Sequence, residues 1–344
     1  MTDELRRQLR EALGTSYTIT REIGDHFAAR ASGANTDVLL RVVSPSLPMG
    51  ERASEVAAAL RAANAPHPNL EPVLDAGVAD NLVWYTEPLT TRETLRARVR
   101  RESSISIRQA LELLRDVARG LAEGHARGMV HGRLTPECIL VDNDGASVRE
   151  MAMGRALQLA APPGQLGPTL RESARGGKRG FYEASYRAPE VGTAGRAPEA
   201  RGDVYAWGVI AYELLAGAHP FSSHTSAETM AAAHASEAPP PLLSRSDDGT
   251  ASLPQLVMQA LEKDADRRPA SAAALVTALD AIEIPALEDP SSPARRQRRR
   301  LQLAVLIVFF VMVAAVGGWG IVAALAAARR PVAQPQPSTQ EKSQ

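Results

Sequence analysis

Cysteine is almost missing from this chain of 344 residues, and Cys138 is the only one. An intrachain disulfide and a multi-thiolate metal site within one chain are therefore excluded. Lysine is nearly as rare: Lys178, Lys263 and Lys342 are all there is, and arginine carries almost all the positive charge. Aromatic residues make up 4% of the chain, which leaves few stacking surfaces for single-stranded nucleic acid. The formal net charge is zero, so a general nucleic-acid binder is not expected. The N-terminus, Met1-Thr-Asp-Glu-Leu-Arg-Arg, places charges where a signal peptide needs an apolar run. The seven histidines are scattered, and the closest pair, His219 and His224, reads as part of a solvated loop rather than a zinc site.

What is present begins with apolar residues, which at 44% suffice for a sizeable core. The length has room for two average domains, or for one large two-lobed domain with appendages. Leu303 to Ala328 contains no charged residue, and as a helix it would span about 39 Å, more than a hydrocarbon core of about 30 Å. It is expected to cross a membrane once. The cluster Arg295-Arg-Gln-Arg-Arg-Arg300 abuts it and Arg329 and Arg330 follow it; the stronger basic flank places the N-terminal bulk in the cytoplasm. The tail from Pro331 to Gln344 is polar and too short to bury a core. Ala314 and Gly318 form a small-xxx-small pair, so a homodimer through this helix stays open.

Ahead of that segment, Tyr17 to about Val83 has short alternating apolar runs around one Ala-rich helix, near Ser54 to Ala63. From about Thr94 the periodicity becomes helical. Ile107 to Gly124, Asp203 to Leu215, Leu253 to Leu261 and Ala270 to Ile282 each place apolar residues at helical spacing. The expected organisation is an N-terminal extension over 1–16 and a folded domain over 17–283. A Pro/Arg-rich linker follows over 284–300, then the membrane helix over 301–328 and a tail over 329–344.

Four motifs occur in a meaningful order. Residues His131-Gly-Arg-Leu-Thr-Pro-Glu-Cys138 form a loop, Tyr186-Arg-Ala-Pro-Glu190 and Asp203-Val-Tyr-Ala-Trp-Gly-Val209 follow, and Asp266-Arg-Arg-Pro-Ala-Ser271 comes last. Together they resemble the bacterial serine/threonine protein-kinase family over about residues 17–283. The resemblance implies an α+β fold of two lobes, with a small antiparallel-sheet lobe over about 17–90 and a large helical lobe over about 91–283. It further implies scaffold roles for His131, for Asp203 beneath the loop backbone, for Glu190 paired with Arg268, and for Glu55 as the helix partner of Arg41.

The positions that carry chemistry in the family depart from its pattern. In the phosphate-covering loop only Gly24 survives, and Phe27 and Ala28 are expected to put side chains where backbone should approach phosphate. Arg41 stands for the strand lysine, and a forked guanidinium is not a conservative replacement. Ala152, in Ala152-Met-Gly154, stands for the metal-binding Asp. Cys138 stands for the second-metal Asn and is a soft donor poorly matched to magnesium. Arg133 replaces the proton acceptor with a permanent cation. Thr135 replaces the loop lysine, Gly132 the loop arginine, and Glu183 falls near the place of a substrate-side threonine.

Phosphoryl transfer depends on positioning and charge neutralisation. These losses therefore imply a membrane-anchored pseudokinase, not an enzyme, with no metal site and with ATP and magnesium binding weak or absent. Its expected work is binding cytoplasmic or membrane proteins, an active kinase or a phosphoprotein among them. The segment from Ala152 to Glu190, with Arg171, Arg175, Lys178 and Arg179 among flexible glycines, reads first as a mobile solvated loop and second as a docking loop for an acidic or phosphorylated partner. Two alternatives stay open. One is an active or weakly active kinase with a rearranged site, recruiting Glu137, Asp142 or Asp144 to hold metal; the other is a nucleotide-binding switch without chemistry.

Overall fold

The computed structural model describes residues 3–282 except 25, 34–35, 44–51, 65, 80–81, 103–104, 161–176, 193–196 and 243–251. The linker, membrane helix and tail expected over 284–344 lie outside the described residues. Among the described residues, no helix is long and apolar enough to cross a membrane.

The small lobe is a five-stranded antiparallel sheet of β1 (Tyr17–Ile23), β2 (His26–Ala31), β3 (Asp37–Val43), β4 (Asp75–Ala79) and β5 (Leu82–Pro88), in the order β1-β2-β3-β5-β4. Successive side chains of a strand point to opposite faces, and the sheet uses both. On the outer face Phe27, Leu40 and Trp84 pack with Leu9 and Leu13 of helix α1 (Asp3–Leu13). On the inner face Val43, Val83 and Tyr85 join Val56 and Leu60 of helix α2 (Ala53–Arg61). That inner face also carries Leu39, Arg41 and Glu87, because β3 and β5 pair Leu39 with Glu87 and Arg41 with Tyr85.

A short β6 (Glu93–Thr94) leads into the large lobe and pairs with the hairpin of β7 (Ile139–Val141) and β8 (Ala146–Val148). Helices α3 (Leu95–Arg101) and α4 (Ile107–Ala126) come next in the chain. Ser106 and Gln109 start α4 with a reciprocal capping box, which satisfies amide donors that would otherwise lack partners. After the hairpin come α5 (Met153–Ala160), α6 (Gly177–Ser185), α7 (Pro189–Gly192), α8 (Ala200–Ala216), α9 (Ala227–Ser236), α10 (Ser252–Ala260) and α11 (Ala272–Asp280). Asp203 to Tyr212 of α8 are all buried, as befits a helix apolar all round. It is packed by α4, α10 and α11, and Trp207 Nε1 donates to the Leu114 carbonyl at 3.1 Å.

The segment from Ala152 to Glu190 differs from the flexible loop expected. Its described parts include two helices, α5 and α6. Met153 and Ala156 are buried, and α5 lies against α2, so apolar burial organises the start of this stretch. Arg171 and Arg175 lie outside the described residues; Lys178 and Arg179 belong to α6.

Candidate functional site in the interlobe cleft

The His131 loop is fixed from below. Asp203, on the buried helix α8, accepts from the His131 amide at 2.9 Å and the Gly132 amide at 2.7 Å, and His125 Nε2 donates to it at 2.8 Å. A carboxylate taking three donors holds the backbone in one conformation. Gly132 has φ +70°, and a Cβ there would lie 2.8 Å from Pro198 Cβ and 3.1 Å from Gly154 Cα. The residue read from the sequence as a lost arginine is thus a glycine that the loop needs, both for its left-handed backbone and for close packing.

Glu190 and Arg268 meet through two hydrogen bonds of 2.8 Å. The remaining donors of Arg268 go to the carbonyls of Glu262, Lys263 and Arg201 at 2.7, 3.0 and 3.0 Å. All five guanidinium donors are therefore used, which is what a buried arginine requires.

Arg41 is buried, but its carboxylate partners are not the expected one. Glu55 sits on the exposed side of α2, whose buried face is Ala53, Val56, Ala57 and Leu60. Arg41 instead pairs with Glu150, and with Glu87 at 3.4 Å. Arg149 also pairs with Glu87. Glu150 has φ +62°, an uncommon left-handed backbone for a non-glycine residue. Burial alone would raise the Glu150 carboxyl, but Arg41, Arg133 and Arg149 outweigh it and hold the group below the usual carboxylate range.

Arg133, at the proton-acceptor position, pairs with Glu183 of α6. Burial opposes its charge, and the Glu183 and Glu150 carboxylates more than offset that, so its pKa is raised. Thr135 is buried, with its hydroxyl 3.5 Å from the Cys138 sulfur. Desolvation pushes the Cys138 thiol up to about 12, so at neutral pH it is a neutral thiol and not a metal-binding thiolate. Ala152 is buried at the mouth of α5 and offers no donor side chain.

Two further expectations need correction. Phe27 does not crowd the phosphate side, because strand alternation turns it to the outer cluster with Leu9 and Leu13. Gly24 keeps the tight β1–β2 turn with φ +63°, and Ala28 is buried on the opposite side of β2 from Phe27. Asp142 and Asp144 do not line the cleft. Asp142 pairs with Arg92 at 2.7 Å and accepts from the Asp144 amide at 2.8 Å, which makes it a turn-forming residue of the β7–β8 hairpin.

Between the lobes lies a cavity of 570 Å³, within the range of small-molecule sites. Its walls carry the guanidinium groups of Arg41, Arg96, Arg100, Arg133 and Arg149 and the carboxylates of Glu137, Glu150 and Glu183. Glu87 and Glu213 balance the arginines from behind: Arg96 donates to Glu213 at 2.6 Å, and the Tyr186 hydroxyl donates to the same carboxylate at 2.6 Å. Glu137 Oε1 accepts from Arg96 at 3.3 Å, while its Oε2 is buried without a hydrogen-bond partner among the described residues.

Glu87, Arg149, Glu150 and Arg96 escaped the motif-based reading. For Glu87 a signal existed, since an acidic residue closing the apolar run Leu82-Val-Trp-Tyr-Thr-Glu87 shares the alternation of Val83 and Tyr85. For Arg96 and Glu213, 117 residues apart, no local pattern announces the pair.

Residues 50–278 match the family model described as Protein kinase domain. The serine/threonine-protein kinase pkn3 of Myxococcus xanthus is 31% identical over 285 residues, covering 79% of this chain and 50% of its own length. PknB of Mycolicibacterium smegmatis is 31% identical over 211 residues, covering 60% of this chain and 32% of its own. PknA of Mycobacterium tuberculosis is 31% identical over 182 residues, covering 51% and 39%. The chain thus spans half or less of the length of these relatives. They overturn the expectation of a non-enzyme without ATP or magnesium: each is named a serine/threonine-protein kinase, and that family works with both. With its two-lobed fold, its Asp203-anchored loop, its Glu190–Arg268 pair and the match over 50–278, this chain belongs to the protein kinase domain family.

Proposed function

We propose that this chain is an ATP-dependent serine/threonine protein kinase with a rearranged cleft, held at a membrane by residues 301–328 with the kinase unit on the cytoplasmic side. The observation that carries the enzymatic reading is the 570 Å³ cavity walled by guanidinium groups, since such groups recognise phosphate oxygens through planar, charge-assisted hydrogen bonds. The anchoring rests on the uncharged run from Leu303 to Ala328 and the basic cluster before it.

The residues present fit a triphosphate. Arg41, Arg133 and Arg149 line one cavity with donors that can turn from their intramolecular carboxylates to an incoming anion. Among the described residues no cluster of three or more His, Cys, Asp or Glu could hold a metal ion, so magnesium would arrive on the phosphates, with Glu137 as a protein oxygen beside it. Ala152 and the neutral Cys138 cannot hold it, Glu150 and Glu183 are held by Arg41 and Arg133, and Glu137 Oε2 is a buried hard oxygen without a donor. When bound, magnesium ATP supplies the transferable phosphoryl group and part of the charge neutralisation. The chain orients it: Asp203 fixes the His131 loop, the loop fixes Arg133, and β3 fixes Arg41.

The test is incorporation of γ-labelled phosphate into the full chain and into a generic Ser/Thr acceptor protein. Slow transfer is expected, reduced about a hundredfold by Glu137→Gln, the order found when one preorganised polar group is removed from an active site. Absence of both incorporation and any magnesium-ATP thermal shift would end this reading. A rate unchanged in the variant would assign the activity to a contaminant. Alkaline extraction of membranes tests the anchor, and release of the chain into the supernatant would refute it.

A further inference from the structure

Helix α3 (Leu95–Arg101) carries four arginines, and the structure divides them. Arg98 pairs with Glu102 at 3.2 Å, and Arg101 with Glu93 at 2.6 Å and Glu102 at 3.1 Å. Arg96 and Arg100, four residues apart and so on one side of the helix, line the interlobe cavity. Of these two, Arg96 is occupied by Glu213 and Glu137. Arg100 is exposed, and its Nη2 donates at 3.1 Å to the Tyr182 hydroxyl of α6. Among the described residues no carboxylate pairs with Arg100.

Arg100 and Tyr182 therefore stand at the mouth of the cavity as a cation and a hydroxyl without an internal anion, while every other arginine of its wall is already paired with a carboxylate. Tyr182 also borders a neighbouring pocket of 160 Å³, lined by Phe181, Tyr186, His224 and Met230 among others. An extended chain passing over Tyr182 would touch both cavities. Its residue beside Arg100 would meet a forked donor, and the next would meet a mostly apolar recess. A lysine or arginine in the first place would face repulsion from Arg100, while the carboxylates of the same wall, Glu137, Glu150 and Glu183, are each already engaged by an arginine.

We propose that the mouth of the cleft, through Arg100 and Tyr182, selects protein substrates with a glutamate or aspartate close to the accepting hydroxyl. This rests on the kinase reading given above for the meaning of the word substrate, but the recognition is a binding property measurable without phosphoryl transfer.

Two fluorescein-labelled peptides, identical around one serine except for flanking glutamates in one and lysines in the other, are titrated with the full chain in detergent micelles by fluorescence anisotropy, without nucleotide. The glutamate peptide is expected to bind about tenfold more tightly, the scale of one close charge pair. Arg100→Glu should reverse the order, and Arg100→Gln should reduce it to near parity. Because Arg100 is exposed, both variants should keep the parent melting temperature, and Arg100→Gln serves alone if Arg100→Glu does not. Equal binding of the two peptides, a preference for lysine, or glutamate preference retained in both variants would overturn the proposal. Selective binding with no phosphate incorporation would instead count against the kinase reading and leave this one standing.

Discussion

Arg41 and Glu150 form a buried ion pair that joins the two lobes: the first lies on β3, the second just ahead of α5. Both side chains are more than nine-tenths withdrawn from solvent. The pair occupies the place where the family resemblance put Arg41 against Glu55, and it makes the register between lobes depend on a contact within the cleft.

Removing one partner of a buried pair leaves the other charge uncompensated, a loss of about 3 to 5 kcal/mol. Arg41→Met is expected to fall in that range in urea denaturation, since it strands Glu150 and weakens the hold on Glu87. Adding Glu150→Met should recover a good part of it. A double variant no more stable than Arg41→Met would show that the pair does not act as a unit.

Arg268→Lys should cost a similar amount, about 3 kcal/mol, even though charge is retained. A lysine cannot reproduce the two bonds to Glu190 together with those to three carbonyls. A loss below about 0.5 kcal/mol, the level of an ordinary surface change, would contradict this.

Cys138 is expected to resist alkylation in the folded protein. Its thiol is pushed up to about 12 by desolvation, so at pH 8 almost no thiolate exists to react. Iodoacetamide should label it only after denaturant is added. Rapid labelling under native conditions would mean that the sulfur is open to solvent.

His234 gives the acid side of stability an early component, together with His131 and His219, whose burial also lowers their pKa from 6.5. The His234 Nε2 donates to the Ser185 carbonyl at 2.8 Å and its Nδ1 accepts from the Tyr205 hydroxyl at 2.8 Å. Burial, with His219 and Lys263 nearby, lowers its pKa from 6.5 to about 3. The unfolded chain therefore binds the extra proton first, so this contribution is full above pH 6.5 and declines as pH falls toward 3. Glu150 adds a second loss lower down, beginning near its unfolded value of 4.5. Urea midpoints should drop between pH 7 and 5, and His234→Gln should flatten that slope.

Asp203→Asn leaves a single acceptor oxygen where two serve the amides of His131 and Gly132. The expected loss is about 2 kcal/mol, with faster hydrogen exchange at those amides. Unchanged protection there would detach the loop from α8.

The sequence carried the lobes and the scaffold more readily than the cleft. Helical periodicity located α4, α8, α10 and α11 to within a turn, because their apolar faces are built from local spacing. Asp203, Glu190 and Arg268 came from motifs that carry the family resemblance, and the contacts it implied for them are present. The partner of Arg41 was not legible, because Glu150 reaches the cleft through a left-handed residue between β8 and α5, and no periodicity encodes that bend. Gly132 was legible only as a missing arginine until the nearness of Pro198 and Gly154 gave it a reason.

Helix α1 lies outside the residues that match the kinase model, which begin at 50. Leu9 and Leu13 nevertheless close the outer cluster over Phe27, Leu40 and Trp84. The boundary of the folding unit is therefore set by this N-terminal lid and not by sequence similarity. A polypeptide trimmed to the matched residues would lose three strands together with Arg41. One started at Tyr17 would keep the sheet but lay bare an aromatic and aliphatic face, a surface on which separate molecules would adhere.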